Sequence, residues 1–529
     1  MVWDPKAKQG LESWKIRWDI VPYTRGNVLD LGSGPFPPFP HFIAMDKKEK
    51  YELEGKTWGP NIVGDATDLS ALSADVKFDA VFSSHLLEHL ADPQQVLKDW
   101  WDVVKVGGYL VLYLPHADYY PNVGQPGANE DHLHDFLPTD ITSYMSNMPT
   151  GWDLVVNEDR NEGTEYSFFQ VYQKRSDHEQ GFPFKIRRKN TCAVVRYGGI
   201  GDCMQASSVL PGLAKQGYHI TFHTTPEGYE FLKHDPHIDD WWIQDKKQVG
   251  EGDLRDFWRH TAKKYDKWVN LTEIVEATLL PMHLHTAFWW PQKARDRLCN
   301  VNYMELSHMV AELPFIFETK FYPSPDEKKW AIRERKQIGK CLLWTISGSA
   351  PHKIWPYMDV LISRVMLEMP DYKVVLVGDD LCAAMIEPPW KEEPRVLLRS
   401  GKWSVRETLA FAQVADVVMG PETGIMNSVA MMQTPKLVWL SHSSVENLTK
   451  HWVNNVSLQP SECPCYPCHQ LHYNFEYCTR DDQGAGGPLA LCQVNIGPEV
   501  AWEALCEITR HSQGREPRIW QETPRLITQ

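Results

Sequence analysis

Val194-Val195-Arg196-Tyr197-Gly198-Gly199-Ile200-Gly201-Asp202-Cys203-Met204-Gln205-Ala206-Ser207-Ser208 is the stretch whose reading decides the fold. A short β-rich run enters a loop with three glycines, and the loop opens into a helical pattern that carries Asp202 near its start. α/β proteins place ligands at such turns, because glycine lets backbone approach closely while a helix N-terminus and a carboxylate supply polarity at the carboxyl edge of a sheet. The residues before this turn read as one nucleotide-binding unit and those after it as another.

The chain has 529 residues, which suits more than one core on the usual prior of roughly 100 to 200 residues per domain. Its formal net charge of −15 offers no electrostatic footprint for phosphate backbones and weighs against a nucleic-acid partner. Lys185, Arg187, Arg188 and Lys189 form a short basic cluster that reads as a linker. No apolar run is long enough to span a bilayer, and Met1 to Trp18 mixes charges with tryptophans where a signal peptide has an apolar stretch, so the expected location is the cytoplasm. Of the 11 cysteines, several stand alone in apolar strands, as Cys192 and Cys341 do, and read as buried thiols.

In the first unit, Val28-Leu29-Asp30-Leu31-Gly32-Ser33-Gly34 is a buried-strand pattern ending in a Gly-x-Gly turn. Apolar runs at Phe42–Asp46, Asn61–Ala66 and Phe78–Ser84 follow, each closing on a polar or acidic residue. An acid closing the second strand suits ribose hydroxyls, and one closing the third suits an adenine amine. His85-Leu86-Leu87-Glu88-His89 comes next, then a helix to Val104, a turn at Gly107-Gly108, a strand from Tyr109 to Leu114, and strands near Trp152 to Asn157 and Tyr166 to Gln173.

This series resembles the class I S-adenosylmethionine-dependent methyltransferases over nearly the whole unit, and Ser83–Leu90 with Asp92-Pro93 and Lys105–Tyr109 is similar to the group that methylates small molecules and sugars. The resemblance implies that S-adenosylmethionine is held by Asp30, Gly32, Gly34, Asp46, Asp65, Ala66 and His85: Gly32 and Gly34 at its methionine part, Asp46 at the ribose, Asp65 with Ala66 at the adenine. One departure is the proline-rich Pro35 to His41, where most members have a full helix. The fourth strand lacks the Asn-Pro-Pro-aromatic motif of amino-methylating nucleic-acid enzymes, which weighs against base methylation. His116, Asp131, His132 and His134 fall in the loop after the fifth strand, where an imidazole can take a hydroxyl proton near neutral pH; His116 and His132 are the candidate bases.

After the opening stretch, strands at Tyr218–Thr224, Trp241–Ile243 and Lys267–Thr272 alternate with helices. A second strand-helix series starts at Lys340–Thr345 and continues through Tyr372–Gly378 and Val417–Gly424. Two α/β halves imply a cleft suited to bringing an activated donor to an acceptor. Arg196–Asp202, Ser347-Gly348-Ser349 with Lys353–Pro356, Gly420–Gly424 and Thr434–Leu440 occur in the order found in the family 9 glycosyltransferases, the heptosyltransferases and their relatives, and the chain resembles that family over about Thr191 to Thr509.

The resemblance implies a GT-B architecture of two Rossmann-like domains, so the expected fold class is α/β: a Rossmann-like methyltransferase domain followed by that pair. The expected boundaries are 1–176 for the methyltransferase-like domain, 177–190 for a linker, 191–335 for the acceptor-side domain, 336–512 for the donor-side domain, and 513–529 for a tail. Asp202 is the expected base toward the acceptor hydroxyl, with a helix cap as its structural alternative. Ser347, Ser349, Lys353, Gly378, Glu422, Thr423 and Gly424 are the expected donor-binding residues, and Lys353, the two hydroxyls and the Thr423 and Gly424 amides would stabilise the leaving diphosphate without a metal. Glu422 and Asn427 depart from the family's usual Asp and His, so the donor sugar is not inherited.

Cys463, Cys465, Cys468 and Cys478 crowd a loop-rich segment with Cys492, His469 and His472, and the first four are a candidate zinc set, against thiols or disulfides packing a long loop. The expected function is thus bifunctional: inverting, metal-independent glycosyl transfer from a nucleotide-diphosphate sugar to a glycan or other hydroxyl acceptor, with O-methylation of the same or a related glycan. A homo-oligomer is compatible with the sequence. The alternatives are one active unit beside a binding module, or a binding protein built from enzyme folds.

Overall fold

The structure, a computed structural model, describes residues 12–53, 56–69, 72, 75–182, 190–245, 248–272, 274–276, 278–346, 348–472, 478 and 489–512. The chain divides into two compact units, one of Met1–Arg188 with Ile243–Lys264, the other of Lys189–Trp242 with Tyr265–Gln529. Both are α/β, as the apolar runs require.

In the first unit, β1 (Val28–Leu31), β2 (Phe42–Asp46), β3 (Ile62–Val63), β4 (Phe78–Ser84), β5 (Val104–Pro115), β6 (Trp152–Arg160), β7 (Ser167–Lys174) and β8 (Gln180–Gly181) form one sheet in the order β8-β6-β7-β5-β4-β1-β2-β3 among the described residues. β7 is antiparallel to both neighbours, and the pairs across β3-β2-β1-β4-β5 are parallel. The sheet is doubly wound outward from β1, so the carboxyl ends of β1 and β4 lie side by side at the reversal of strand order, where such sheets hold ligands.

Three details differ from the sequence reading. β3 spans two residues where a run from Asn61 to Ala66 was expected, because the chain turns at Gly64 and Asp65 as soon as Asp46 O has accepted the Gly64 N–H. β5 begins at Val104 and runs through Gly107-Gly108, with an irregular register opposite Phe78 to Ala80 absorbing the glycines. Finally, Ile243–Lys264, expected inside 191–335, clusters with the N-terminal residues.

That last difference has an electrostatic cause. The buried Asp19 carboxylate receives Arg160 Nη2 at 2.6 Å, His260 Nε2 at 3.1 Å and Lys264 Nζ at 2.5 Å, and these hold it well below the usual carboxylate range against the cost of burial. Gln248 Nε2 adds donors to the carbonyls of Val21 and Thr24.

α1 (Pro93–Val103) begins at Asp92, which caps the Gln95 amide at 3.1 Å, and buries Val96, Leu97, Trp100 and Trp101 on one face. The Trp100 indole donates to the Ala66 carbonyl at 2.8 Å, fixing the loop after β3.

The second unit holds two sheets, the first parallel at both pairings of Thr191–Val195 and the second parallel throughout. β9 (Thr191–Val195), β10 (His219–Thr224), β11 (Asp240–Ile243) and β12 (Lys267–Asn270) run in the order β11-β10-β9-β12. β13 (Cys341–Thr345), β14 (Lys373–Val377), β15 (Val396–Leu398), β16 (Val417–Pro421), β17 (Lys436–Trp439) and β18 (Asn455–Leu458) run in the order β15-β14-β13-β16-β17-β18. Strands β9, β13 and β16 are buried at nearly every position, as strands covered by helices on both faces must be.

α2 (Ile200–Ser207) follows β9, and α3 (Gly424–Ser428) follows β16. At Gly420 (φ +150°) a Cβ would sit 2.5 Å from the Thr345 carbonyl oxygen. Gly420→Ala is therefore expected to lower stability by about 1–3 kcal/mol, read as a lower urea midpoint with an unchanged slope.

Candidate functional site

The Gly-x-Gly turn after β1 is left-handed at both glycines. A Cβ on Gly32 (φ +68°) would lie 2.9 Å from the Leu86 side chain, whereas one on Gly34 (φ +58°) meets nothing within 4 Å. Gly32 is thus required by packing and Gly34 opens a cradle. The Gly34 amide donates to Asp46 Oδ2 at 2.9 Å and the Lys48 amide to Oδ1 at 2.9 Å, so Asp46 ties the turn to the end of β2 while keeping lone pairs for a further donor. Asp65 is half-exposed, paired with Lys47 at 3.0 Å and bonded by the Thr67 amide. Asp30 is buried at the base of the cradle; burial and Asp46 push its carboxyl well up, and its Oδ2 has no hydrogen-bond partner. The open cradle and this orphaned acid fit a polar cofactor. No helix forms over Pro35–His41, so the turn lacks a following helix dipole.

His85 ends β4 at φ +49°, an uncommon conformation for a non-glycine residue. Its Nε2 meets Ser167 Oγ at 2.9 Å and its Nδ1 faces Glu88 Oε1 at 3.7 Å. Burial pulls the imidazole down to about 3. Glu88 is fully buried, makes no hydrogen bond through either carboxylate oxygen, and is pushed up to about 8 by burial. His89 Nε2 and His132 Nε2 each stand 3.9 Å from Glu88 Oε1.

The loop carrying His132 is stapled there, since the amides of Leu133 and His134 both donate to the Glu88 carbonyl and His134 Nε2 bonds the Leu90 carbonyl at 3.0 Å. His116 is placed apart from this cluster. Its Nδ1 accepts the Asp118 amide at 3.1 Å and its ring stacks on Tyr119, so in the neutral ring Nε2 carries the hydrogen and no lone pair remains for a substrate proton.

In the second unit Gly198 (φ +149°) lies so close to Asp202 that a Cβ would fall 2.5 Å from Oδ2. Asp202 accepts the Gly199 amide at 2.8 Å, capping α2, and pairs through Oδ1 with Arg196 at 3.0 Å. Arg196, buried, also pairs with Glu276 at 2.5 Å and donates to the Leu271 carbonyl at 2.8 Å. Glu276 is a site residue that sequence reading missed; its signal was an acid shortly after the strand that ends at Asn270.

Asp202 reaches the other sheet through glycine contacts. A Cβ on Gly424 would lie 2.5 Å from the Ile200 Cβ and 2.8 Å from the Gly201 amide, and Gln205 Nε2 donates to Asn427 Oδ1 at 3.3 Å. The first turns of α2 and α3 therefore abut, bringing Asp202 and the Thr423-Gly424 loop to one place. Lys353 is there too. Its stem crosses Gly348, its Nζ donates to the Glu422 carbonyl at 3.1 Å, and burial pulls the ammonium down while Glu422 and Asp202 oppose this. Thr423 caps α3 through the Met426 amide.

Glu422 is turned inward. Its Oε1 accepts from the amides of Ser441 (3.2 Å) and His442 (3.3 Å), from Ser441 Oγ, and from His442 Nδ1 at 2.9 Å, while the buried Oε2 has no partner. Ser349 is exposed on its loop, and Ser347 lies outside the described residues. Gly378 is required by packing, since a Cβ would meet Cys382 at 2.7 Å, and the neighbouring Asp379 caps the helix Asp380–Met385.

Residues 40–112 match the family model described as a methyltransferase domain. The chain thus carries a methyltransferase domain in its N-terminal unit. No curated protein matches the chain. Among solved structures it is similar to a glycosyl transferase family 9 protein of Veillonella parvula, at 15% identity over 61% of this chain and 98% of that one, with a TM-score of 0.46. It is also similar to the ADP-heptose LPS heptosyltransferase II of E. coli (13% identity, 61% and 100% covered, TM-score 0.41) and to the dodecameric, iron-containing glycosyltransferase TibC of enterotoxigenic E. coli (10% identity, 65% and 83% covered, TM-score 0.41). Among the described residues no helix is long and apolar enough to cross a membrane.

The cysteine-rich segment brings Cys465, Cys468, Cys478 and Cys492 to one small cavity with His352 and His472. Cys463 contacts Cys465 through its thiol at 3.5 Å, and Cys492 takes the place in the cavity that sequence spacing assigned to Cys463. Burial pushes the Cys468 thiol up to about 12, with Cys465 and Cys478 adding to it.

The Glu422 contacts set a pH dependence. Its folded-state ionisation lies below the ordinary carboxylate value, held there by His442, Lys353 and Ser441 against burial. Its contribution is therefore present above the unfolded value near 4.5 and lost as pH falls below it. Glu422→Gln is expected to cost about 2–3 kcal/mol at pH 7 and to flatten the loss of stability between pH 5 and pH 3, measured by urea unfolding across that range.

Proposed function

We propose that the second unit transfers a glycosyl group, with inversion, from a nucleoside-diphosphate sugar to an acceptor hydroxyl, and that the N-terminal unit methylates a hydroxyl of the same or a related glycan from S-adenosylmethionine. Residues 191–335, less Ile243–Lys264, form the acceptor side and 336–512 the donor side. The observation that carries the first activity is the abutment of α2 on α3, which brings a carboxylate on a glycine loop, Asp202, beside a buried cation, Lys353, and the Thr423-Gly424 amides.

Chemically, Asp202 accepts the proton of the attacking hydroxyl, and Arg196 and the start of α2 orient its carboxylate. Charge that develops on the departing diphosphate is met by Lys353, by the amides of Thr423 and Gly424, and by the hydroxyls of Ser347 and Ser349. Glu422 Oε2 is the acceptor left for a sugar hydroxyl. Transfer on this reading needs no metal at the reacting atoms, and the cysteine cavity is structural, a donor set suited to a thiophilic ion.

In the N-terminal unit, Gly34 opens toward the methionine part of the cofactor, Asp46 toward its ribose, and Asp65 with Ala66 toward its adenine. S-adenosylmethionine supplies an electrophilic methyl group when bound. The proton of the acceptor hydroxyl leaves toward the cluster of His85, Glu88, His89 and His132, rather than toward His116, whose one lone pair accepts the Asp118 amide. Both reactions belong to the cytoplasm on this reading. The helix-free Pro35–His41 segment favours one narrower reading, in which the N-terminal unit binds ligand without catalysis.

Asp202→Asn is expected to lower kcat for glycosyl transfer about 10²–10⁴-fold with the donor Kd unchanged, measured by nucleotide release and calorimetry. Unimpaired kcat with reduced stability would make Asp202 a helix cap alone. Gly32→Arg, which drives a side chain into Leu86, is expected to abolish S-adenosylmethionine binding by calorimetry; retained affinity would move the pocket elsewhere.

A further inference from the structure

Glu88 poses a physical problem that the fold alone does not solve. Its side chain is fully buried, neither carboxylate oxygen makes a hydrogen bond, and His85, His89 and His132 present ring nitrogens to it at 3.7, 3.9 and 3.9 Å. A buried carboxyl without a hydrogen-bond partner is destabilising. Hydrogen bonds do not relieve it, because 3.7–3.9 Å is beyond their range. The separations suit something else. Ligand atoms about 2.0–2.1 Å from a common divalent ion stand roughly 3.4 Å from one another in a tetrahedral shell, a few tenths of an ångström closer than those found here.

The His89 tautomer agrees. His89 Nδ1 faces the Asp131 carbonyl at 3.0 Å, a contact only a ring N–H satisfies, so its Nε2 lone pair points at Glu88. A ring nitrogen donating to a backbone carbonyl while the other faces a cation is the usual arrangement for a metal-bound histidine. One oxygen of Glu88 and one nitrogen each of His89 and His132 lie within 4.8 Å of one another. The loop bonds from Leu133 and His134 to the Glu88 carbonyl hold His132 in place.

We propose that Glu88, His89 and His132 form a binding site for one divalent transition-metal ion of the zinc and iron(II) class, with His85 Nδ1 beside it. Two imidazoles and one carboxylate leave positions open on such an ion. His85, Tyr120, Tyr166 and Glu12 surround the cluster. The site stands on this geometry; only its use, taking up an acceptor oxygen and polarising it beside the Gly34 cradle, rests on the methyl-transfer reading.

The test uses the full chain, stripped with chelator and titrated with Co²⁺. Cobalt on imidazole and carboxylate gives weak visible d–d bands, whereas cobalt on the cysteine cavity gives intense thiolate charge transfer in the near ultraviolet, so one spectrum separates the two sites. One thiolate-free Co²⁺ per chain is expected in the wild type. Glu88→Gln and His132→Ala should weaken that binding on the order of 100-fold or more while leaving any charge-transfer bands in place. Glu88→Gln keeps the side chain's shape, so a folded variant is assured by far-ultraviolet circular dichroism before titration. A wild type without thiolate-free bands, or a Glu88→Gln variant that keeps them, overturns the site. Metal binding without methyl transfer on any glycan leaves the site standing and removes only its use.

Discussion

Two glycines set the spacing of the second unit. Gly424 stands where any side chain would drive the starts of α2 and α3 apart, a Cβ there lying 2.5 Å from the Ile200 Cβ, while one on Gly201 would press on Asn427 Nδ2 at 3.1 Å. Everything polar at that place depends on the approach. It lets Asp202 and Lys353 feel each other's charge, lets Gln205 reach Asn427, and leaves Lys353 buried with the Glu422 carbonyl as hydrogen-bond partner. Burial pulls the Lys353 ammonium down, Glu422 and Asp202 oppose that, and in low dielectric a charge there acts more strongly on an anion than at a surface. Backbone proximity is thus converted into electrostatics.

Arg196 stabilises the same place from below. Its guanidinium is buried, and Glu276 on one side and Asp202 on the other satisfy it, with the Leu271 carbonyl taking a further N–H. The loop of Gly198 and Gly199 is therefore held by charge as well as by glycine conformations. In the N-terminal unit Asp46 plays the corresponding part, clamping the Gly34 amide to the end of β2. Both loops are tied by a carboxylate to their own backbone amides.

The strands were legible because burial on both faces leaves a local trace: Val28–Leu31, Cys341–Thr345 and Val417–Pro421 are unbroken or nearly unbroken apolar runs ending at glycine, serine or proline. Loop glycines were legible for the same local reason. What escaped was pairing at a distance. Nothing near Glu422 announces that Ser441 and His442, some twenty residues on, turn it inward; nothing near Asp19 announces His260 and Lys264. His116 and His132 looked equivalent in sequence, and only the Asp118 amide separates them, by taking the lone pair of one. Periodicity records which face is buried, whereas a polar network is recorded only in the folded chain.

Three of the buried acids point the same way. Asp30 Oδ2, both oxygens of Glu88 and Glu422 Oε2 are buried without hydrogen-bond partners, and each lies on or just beyond a sheet strand: Asp30 in β1, Glu88 four residues past β4 and Glu422 one past β16. A fold selected for stability alone would replace or pair such groups, since each costs on the order of 1–3 kcal/mol while unpaired. Their clustering beyond the carboxyl ends of parallel strands, where α/β sheets hold their ligands, gives the cost a cause. On the proposed function these acids meet donors or cations that arrive with a ligand, and binding would recover the stability lost in the free protein.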